Sequence, residues 1–483
     1  MRQTRQFTNL VLICLWEILG GDCYMNDLGV IGLGKAGNAF THNLLSRKYA
    51  VSGYDKSKKA VVEIDKIGYK TYDGFFNLKD FVNSLTKPRK IVLFLGQGDP
   101  TNQMIDKLIP LLDKKDIICD GGNSSYLFSL ANEKKLREKG IYFYCLGFSG
   151  SLKNIKNGPC ILVSGNRGIY QEFLKSIIEN IAAKYKNRIC CTFVGENATA
   201  HYINIVHNGV QHAEMQLIAE IFLILKQAGY NNATIASTFK EWNSTSLKSN
   251  ILEAVSKILV EKDQKTKKYL IDIIEDVAEY SDEGRWPSLF AIENMSNASL
   301  IIFGYLSKIV SNLKRERNFL NTVNKKEINI NIASLYNSYY LCKVLVYIQA
   351  INLVRIANYK YNWNLNLLDI INTFRSGSIL QNEIIPQILN CYIDEKISDL
   401  LLTGWFKNIL ENNYKDLKEV AINTNMSELP TPIIQASLTY FNQLKSTNLG
   451  AGVVQAQRSY FNGFSYHRID KPGVFNKDWD EEN

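Results

Sequence analysis

The nine cysteines of this 483-residue chain form no CxxC pair, and only Cys190 and Cys191 are adjacent. Neither a zinc site nor a disulfide framework is indicated; no metal is expected, and a reduced, cytoplasmic setting is the default. Beyond the N-terminus there is no apolar run of about 20 residues, the length a helix needs to cross a bilayer, so a multi-span membrane protein is excluded. No stripe of basic and aromatic residues occurs either. The lysines behind the net charge of +9 are scattered and often sit beside Asp or Glu, which argues against a nucleic-acid partner and suits an anionic small substrate or cofactor. Hydrophobic residues at 46% and charged ones at 21% exclude disordered and collagen-like classes.

The chain is too long for one core, and two or three domains are expected. Residues 1–26 form an uncertain leader. Arg2 and Arg5 followed by Asn9 to Leu19 resemble a secretory signal, yet Glu17 interrupts the apolar run and Cys23-Tyr24 follows weakly. The alternative, which we favour, is a start at Met25, directly before the first strand.

From residue 27 to 197 short apolar runs at Leu28–Ile31, Ala50–Tyr54, Ile91–Leu95, Ile117–Cys119, Ile141–Cys145 and Ile161–Val163 alternate with helical patterns such as Asn102–Leu112 and Leu130–Lys139. A parallel, doubly wound α/β sheet of Rossmann type is the economical reading. Residues 198–447 change to long segments of helical period with few Gly or Pro, which implies an all-α domain, with the Asn/Lys-rich piece Asn324–Asn331 as a loop. Residues 448–483, holding Gly450, Gly452, Gly463, Pro472 and Gly473, lack helical period and read as an extended tail.

A bare GxGxxG is a weak signal, but here strand, Gly32-Leu33-Gly34-Lys35-Ala36-Gly37, helix and an acidic residue closing the next strand occur in the order dinucleotide binding requires. Gly32 permits the tight turn, Gly34 lets backbone N–H groups approach a pyrophosphate, and Gly37 allows close packing of helix on sheet. The helix N-terminus then faces the phosphates. Asp55 suits the free ribose 2′-hydroxyl of NAD, whereas neighbouring Lys56 would attract the 2′-phosphate of NADP.

The stretch His201–Gln216, HYINIVHNGVQHAEMQ, holds three of the five histidines. Apolar Ile203, Ile205, Val206 and Val210 alternate with Asn204, His207, Asn208 and Gln211, so helical period gathers the polar groups on one face. Such a stripe lines a site more naturally than it fills a core.

This segment resembles the catalytic helix of the 6-phosphogluconate dehydrogenases. His201, Val206, His207, Asn208, Gly209, Met215 and Gln216 match the family pattern. Further blocks match in order: Pro88-Arg89-Lys90, Asp120-Gly121-Gly122-Asn123-Ser124, Phe148-Ser149-Gly150-Ser151, Glu241-Trp242-Asn243, Arg375-x-Gly377, Pro430-x-Pro432 with Tyr440-Phe441, and Gln455-Ala456-Gln457-Arg458-x-Tyr460-Phe461. The resemblance covers about residues 27 to 470. It implies a homodimer whose tail reaches the partner subunit, and NAD(P)-dependent oxidative decarboxylation of 6-phosphogluconate to ribulose 5-phosphate, a step of the pentose phosphate pathway and of gluconate utilisation. It also implies that Asn123, Ser149, Gly150, His207, Asn208 and Arg458 hold the sugar acid, with Asn123 beside the cofactor as well.

The departures fall where the chemistry lies. Asn204 stands at the family's lysine base and Gln211 at its glutamic acid, and neither amide exchanges a proton at accessible pH. His207, three residues from Asn204 and on the same face, is the nearest substitute catalytic group, with Asn208 beside it. In the family's phosphate loop a lysine and a threonine have become Ser281 and Glu283; the helix arginine is Lys308, the tyrosine beside the glutamate is His212, the tail histidine is Phe464, and the last glycine of the VSGG turn is Ser151. Asp55-Lys56-Ser57 replaces the Asn-Arg-Thr of NADP-using members and leans towards NAD or relaxed choice. The expectation is a family member of weak or absent activity. A pseudoenzyme that binds or regulates an active homologue is the alternative, and a dehydrogenase for an unphosphorylated hydroxy acid is a third reading.

Overall fold

The computed structural model describes residues 25–96, 99–280, 282–321, 328–395 and 399–479, without the side chains of Asp282 and Glu283. The leader before Met25, Ser281, the Glu283 carboxylate and the first part of the Asn324–Asn331 piece lie outside the described residues.

An eight-stranded sheet forms the N-terminal layer, built from β1 (Leu28–Ile31), β2 (Val51–Tyr54), β3 (Tyr72–Phe75), β4 (Lys90–Leu93), β5 (Ile117–Asp120), β6 (Tyr142–Phe148), β7 (Ile161–Ser164) and β10 (Cys191–Phe193), with a small hairpin β8 (Lys184–Tyr185) and β9 (Arg188–Ile189) beside it. Strand order is β10-β7-β6-β5-β4-β1-β2-β3. Helices α1 (Lys35–Ser46), α2 (Tyr126–Arg137) and α3 (Leu152–Asn157) belong to this layer. The central strands are covered on both faces, which is why they read as unbroken apolar runs. One junction departs from the expected parallel sheet: β6 and β7 pair antiparallel. Periodicity fixes which faces are buried but carries no information about strand direction.

The helical half is organised by α4 (Thr199–Gln227), whose residues from Thr199 to Val210 are all buried. It packs against β6 and β7 at one end and against α5 (Asp282–Glu293), α6 (Ser299–Asn312) and α7 (Ile332–Tyr361) along its length. The apolar core on one face of the sheet is therefore continuous with that of the helical domain. By length and composition α7 could cross a membrane, but it is largely buried inside the protein and packs on α4. After α8 (Leu367–Thr373) come α9 (Gly404–Met426) and α10 (Pro432–Lys445). The tail is not wholly extended as its composition suggests, because α11 (Ala451–Asn462) forms between Gly450 and Gly463, each at positive φ. Those glycines delimit a helix where they read as marks of irregular chain.

Two buried carboxylates fix how these helices meet. Glu220 accepts the N–H groups of Ile433 (2.9 Å) and Ile434 (3.1 Å), capping the start of α10; burial still pushes its pKa up to about 8. Glu214 lies 2.5 Å from Lys343 Nζ, both fully buried, and accepts the Tyr347 hydroxyl at 2.9 Å. Tyr347 in turn accepts the Asn382 amide at 2.6 Å. An ion pair so placed is weak evidence for stability, but breaking it strands a charge. Lys343→Met alone is expected to cost about 3–5 kcal/mol, and adding Glu214→Gln should recover most of that loss. Thermal unfolding of the two variants beside wild type checks this, and equal midpoints for single and double variant would contradict it.

Candidate active site

At the sheet's carboxyl edge, Gly32 has φ +89° and a Cβ there would stand 2.2 Å from the Phe94 carbonyl oxygen, so the turn accepts only glycine. At Gly37 a Cβ would meet the Gly32 oxygen at 1.9 Å, whereas at Gly34 it would meet nothing within 4 Å. The space over Gly34 is where a ligand's backbone-bound group belongs. Helix α1 starts there with no side-chain cap and no acidic residue in its first turn, which leaves its N-terminal N–H groups to an anion. Leu33 contributes only backbone, its side chain being buried in the core. Its N–H donates to Asp55 Oδ2 at 2.7 Å, and Ser57 N–H donates to Asp55 Oδ1 at 2.7 Å. Lys56 is exposed. These residues fit a dinucleotide: Gly32–Gly37 would hold its pyrophosphate and Asp55 its ribose.

The edge of β6 and the first turns of α4 bring the second group together. Ser149 Oγ donates to Asn204 Oδ1 (2.8 Å), and Asn204 Nδ2 donates to Asn123 Oδ1 (3.3 Å). Asn204 is 1% exposed and Ser149 3%, so the Asn204 amide is spent on its neighbours. Gly150 follows in a turn where a Cβ would meet the Gly377 oxygen at 2.5 Å. His207, one turn along, faces Ser378: its Nε2 lies 3.0 Å from Ser378 Oγ and its Nδ1 3.4 Å from Asn208 Oδ1. Because Nδ1 faces the side-chain carbonyl oxygen of Asn208, the arrangement suits the Nδ1–H tautomer, with the Ser378 hydroxyl donating to Nε2. The ring stacks on Phe374, centroids 4.9 Å apart, beside a cavity of about 70 Å³ lined by Val206, Val210, Leu367, Ile371 and Phe374. Burial pulls its pKa down to about 4. A base so weak, with its Nε2 facing a hydroxyl, is poorly suited to abstracting a proton.

Sequence reasoning missed Ser378, although Arg375-x-Gly377 marked its loop. That loop ties the halves together: Gly377 O accepts Cys160 N–H (3.1 Å) and Ile379 N–H donates to Ser149 O (2.9 Å), while Ser378 reaches His207. Gln211 is half-buried and makes no side-chain hydrogen bond among the described residues. It lies seven residues from Asn204, about 10.5 Å along the helix. His212 turns away into a largely buried position where a Cβ on Gly284 would meet its Nδ1 at 3.0 Å; burial, then Lys308, hold its pKa down to about 4. Arg458 is not gathered with these groups. It is exposed on α11, stacks over Phe464 at 4.5 Å and donates to Gln455 at 3.2 Å, all within the tail. His201, buried between Ser129 Oγ (2.7 Å) and the Asp120 carbonyl (3.1 Å), serves packing. Among the described residues no cluster of His, Cys, Asp and Glu could hold a metal.

Comparison with known proteins places both halves. Residues 27–195 match the NAD binding domain of 6-phosphogluconate dehydrogenase and residues 200–479 its C-terminal domain. A decarboxylating 6-phosphogluconate dehydrogenase of Staphylococcus aureus (strain N315) is 34% identical over 472 residues, covering 94% of this chain and 99% of its own. One from Buchnera aphidicola subsp. Schizaphis graminum (strain Sg) is 33% identical over 464 residues, covering 94% and 98%. Among solved structures, Plasmodium falciparum 6-phosphogluconate dehydrogenase, described as apo, with NADP+ and with 6-phosphogluconate, aligns with a TM-score of 0.87 at 30% identity, over 94% of this chain and all of that one.

The depressed histidines set a pH dependence. His207 and His212 titrate near 6.5 when unfolded and near 4 when folded, so below about 6.5 the unfolded chain takes up protons that the folded one refuses. The stability present above pH 6.5 is lost as pH falls towards 4. Glu220, with its raised pKa, acts in the opposite sense between about 4.5 and 8, so variant and wild type must be compared at each pH. His212→Tyr is expected to shrink the fall in melting temperature between pH 7 and 5; an unchanged fall would refute the assignment.

Proposed function

Because the chain belongs to the 6-phosphogluconate dehydrogenase family, we propose that it binds a nicotinamide dinucleotide and a sugar acid in the inherited cleft but oxidises and decarboxylates the acid weakly or not at all. Its cofactor is NAD or NADP; when bound, the nicotinamide supplies the hydride acceptor. What this chain's own residues must add is proton transfer: a base to take the hydroxyl proton and return it to the ketone oxygen, and an acid to protonate the enediol carbon after CO₂ leaves. Ser149, Asn123, Asn208 and Gly150 can orient hydroxyl and carboxylate groups. Asn204 can hydrogen-bond but not accept that proton, and Gln211 cannot deliver the second.

The observation that carries this reading is the Ser149–Asn204–Asn123 chain of hydrogen bonds. At the place where a lysine would titrate, a locked amide stands, and among the described residues its hydrogen-bond partners are likewise neutral. Each lost acid/base function typically costs about 10²–10⁴ in rate, roughly 3–5 kcal/mol of barrier, and the two losses need not add.

A second reading, a pseudoenzyme that binds or regulates an active homologue, draws on the same amides and on an apolar surface. On α6, Phe303 is 37%, Leu306 41% and Val310 52% exposed, and the tail carries Tyr460, Phe461 and Phe464 on its surface. Exposed rows of this kind suit a subunit interface. We take the first occupant to be a second copy, with the tail crossing to it, in the reducing cytoplasm that the unpaired thiols suit.

The test is turnover of 6-phosphogluconate with NAD or NADP by wild type beside the double variant Asn204→Lys/Gln211→Glu. Wild type is expected to run at least about 10² below an ordinary family rate, with a gain of that order in the variant. Ordinary turnover by the wild type would refute the proposal. No gain in the double variant would place the main defect in the phosphate end, at His212, Lys308 and Phe464.

A further inference from the structure

We propose that Asp55 makes this protein select NAD over NADP, an inference that rests on the dinucleotide reading of the glycine turn. Asp55 follows β2 at the carboxyl edge of the sheet, where the acidic residue of a Rossmann unit meets the adenosine ribose. Two features of this chain turn that placement into a selection.

The carboxylate is fixed. Leu33 N–H holds Oδ2 and Ser57 N–H holds Oδ1, each at 2.7 Å, and hydrogen bonds to an ionised acceptor are the strong ones. One anchor is the glycine turn itself, so the side chain cannot retract from the ribose without loosening the phosphate cradle. Each oxygen keeps a lone pair for a further donor. A ribose 2′-hydroxyl supplies that donor, whereas a 2′-phosphate brings more negative charge against an anion that cannot move aside.

The opposing cations are poorly placed. Lys56 and Lys58 are exposed, and Lys58 Nζ sits over the Phe76 ring at 5.9 Å. A lysine ammonium is strongly hydrated and rides on a flexible stem that must be ordered before it helps. Asp55 is half-buried and held by two N–H groups, so its repulsion acts through less water than the attraction of the exposed lysines. The carboxylate decides.

The experiment needs no catalysis. The full-length protein is titrated separately with NADH and NADPH, following nicotinamide fluorescence and tryptophan quenching, and the series is repeated with Asp55→Asn and with Lys56→Ala. NADH is expected to bind wild type at least about tenfold more tightly than NADPH. Asp55→Asn should narrow that ratio to within about threefold, and Lys56→Ala should preserve the preference for NADH. Equal affinities in wild type, tighter NADPH, or an unchanged ratio in a folded Asp55→Asn overturns the inference. Should Asp55→Asn fail to fold, Asp55→Ser takes its place in the same comparison, with the same narrowing expected and an unchanged ratio overturning the inference. Binding of neither nucleotide, nor of ADP-ribose, removes the dinucleotide reading and this inference with it, an outcome distinct from reversed preference.

Discussion

A helix with no exposed face must satisfy every polar side chain from inside the protein, and the first three turns of α4 are such a helix. Asn204, His207 and Asn208 are each at most 9% exposed there, in surroundings where an unpaired polar group costs about 1–3 kcal/mol. Asn204 is met by Ser149 and Asn123, and His207 by Ser378 and Asn208. Further along, Glu214 is met by Lys343 and Tyr347, and Glu220 by the start of α10. The packing of the sheet, of the long helices and of the 375–382 loop follows from supplying those partners.

The same requirement bears on Asn204, the position that the family resemblance aligns with a lysine. A lysine here would need a charged environment or a ligand; an asparagine is content with a hydroxyl and a neighbouring amide. Here two neutral hydrogen bonds, to Ser149 and Asn123, hold the side chain at this position. The fold is held over most of the chain's length, as the alignment with the Plasmodium falciparum structure shows, and among the described residues Asn204 fits that fold with neutral partners alone.

Much of this was legible in the chain. The glycine turn, the β2 acid and the polar stripe of α4 are local patterns, and strands buried on both faces announce themselves as apolar runs. Edge strands do not: β3 reads Tyr72-Asp73-Gly74-Phe75, with polar and small residues turned to solvent, and β10 is three residues long. The reversal of β7 is invisible because burial patterns have no direction. Ser378 escaped because its partner His207 lies 171 residues away, and nothing in either segment announces the pairing. Arg458, read as a ligand group, contacts Gln455 and Phe464 of its own tail, and nothing in the local sequence distinguishes those contacts from a ligand role. The tail helix was hidden because glycines at either end of a helix and glycines in irregular chain look alike until φ is known.

The 375–382 loop is bonded to β6, to the turn before β7 and to α4 simultaneously. That three-way attachment works like a bolted hinge. Moving the two halves apart about the cleft means breaking backbone bonds at Gly377 and Ile379, each worth about 0.5–1.5 kcal/mol. A wall tied down in this way before any guest arrives surrenders less chain entropy on association than a free loop would.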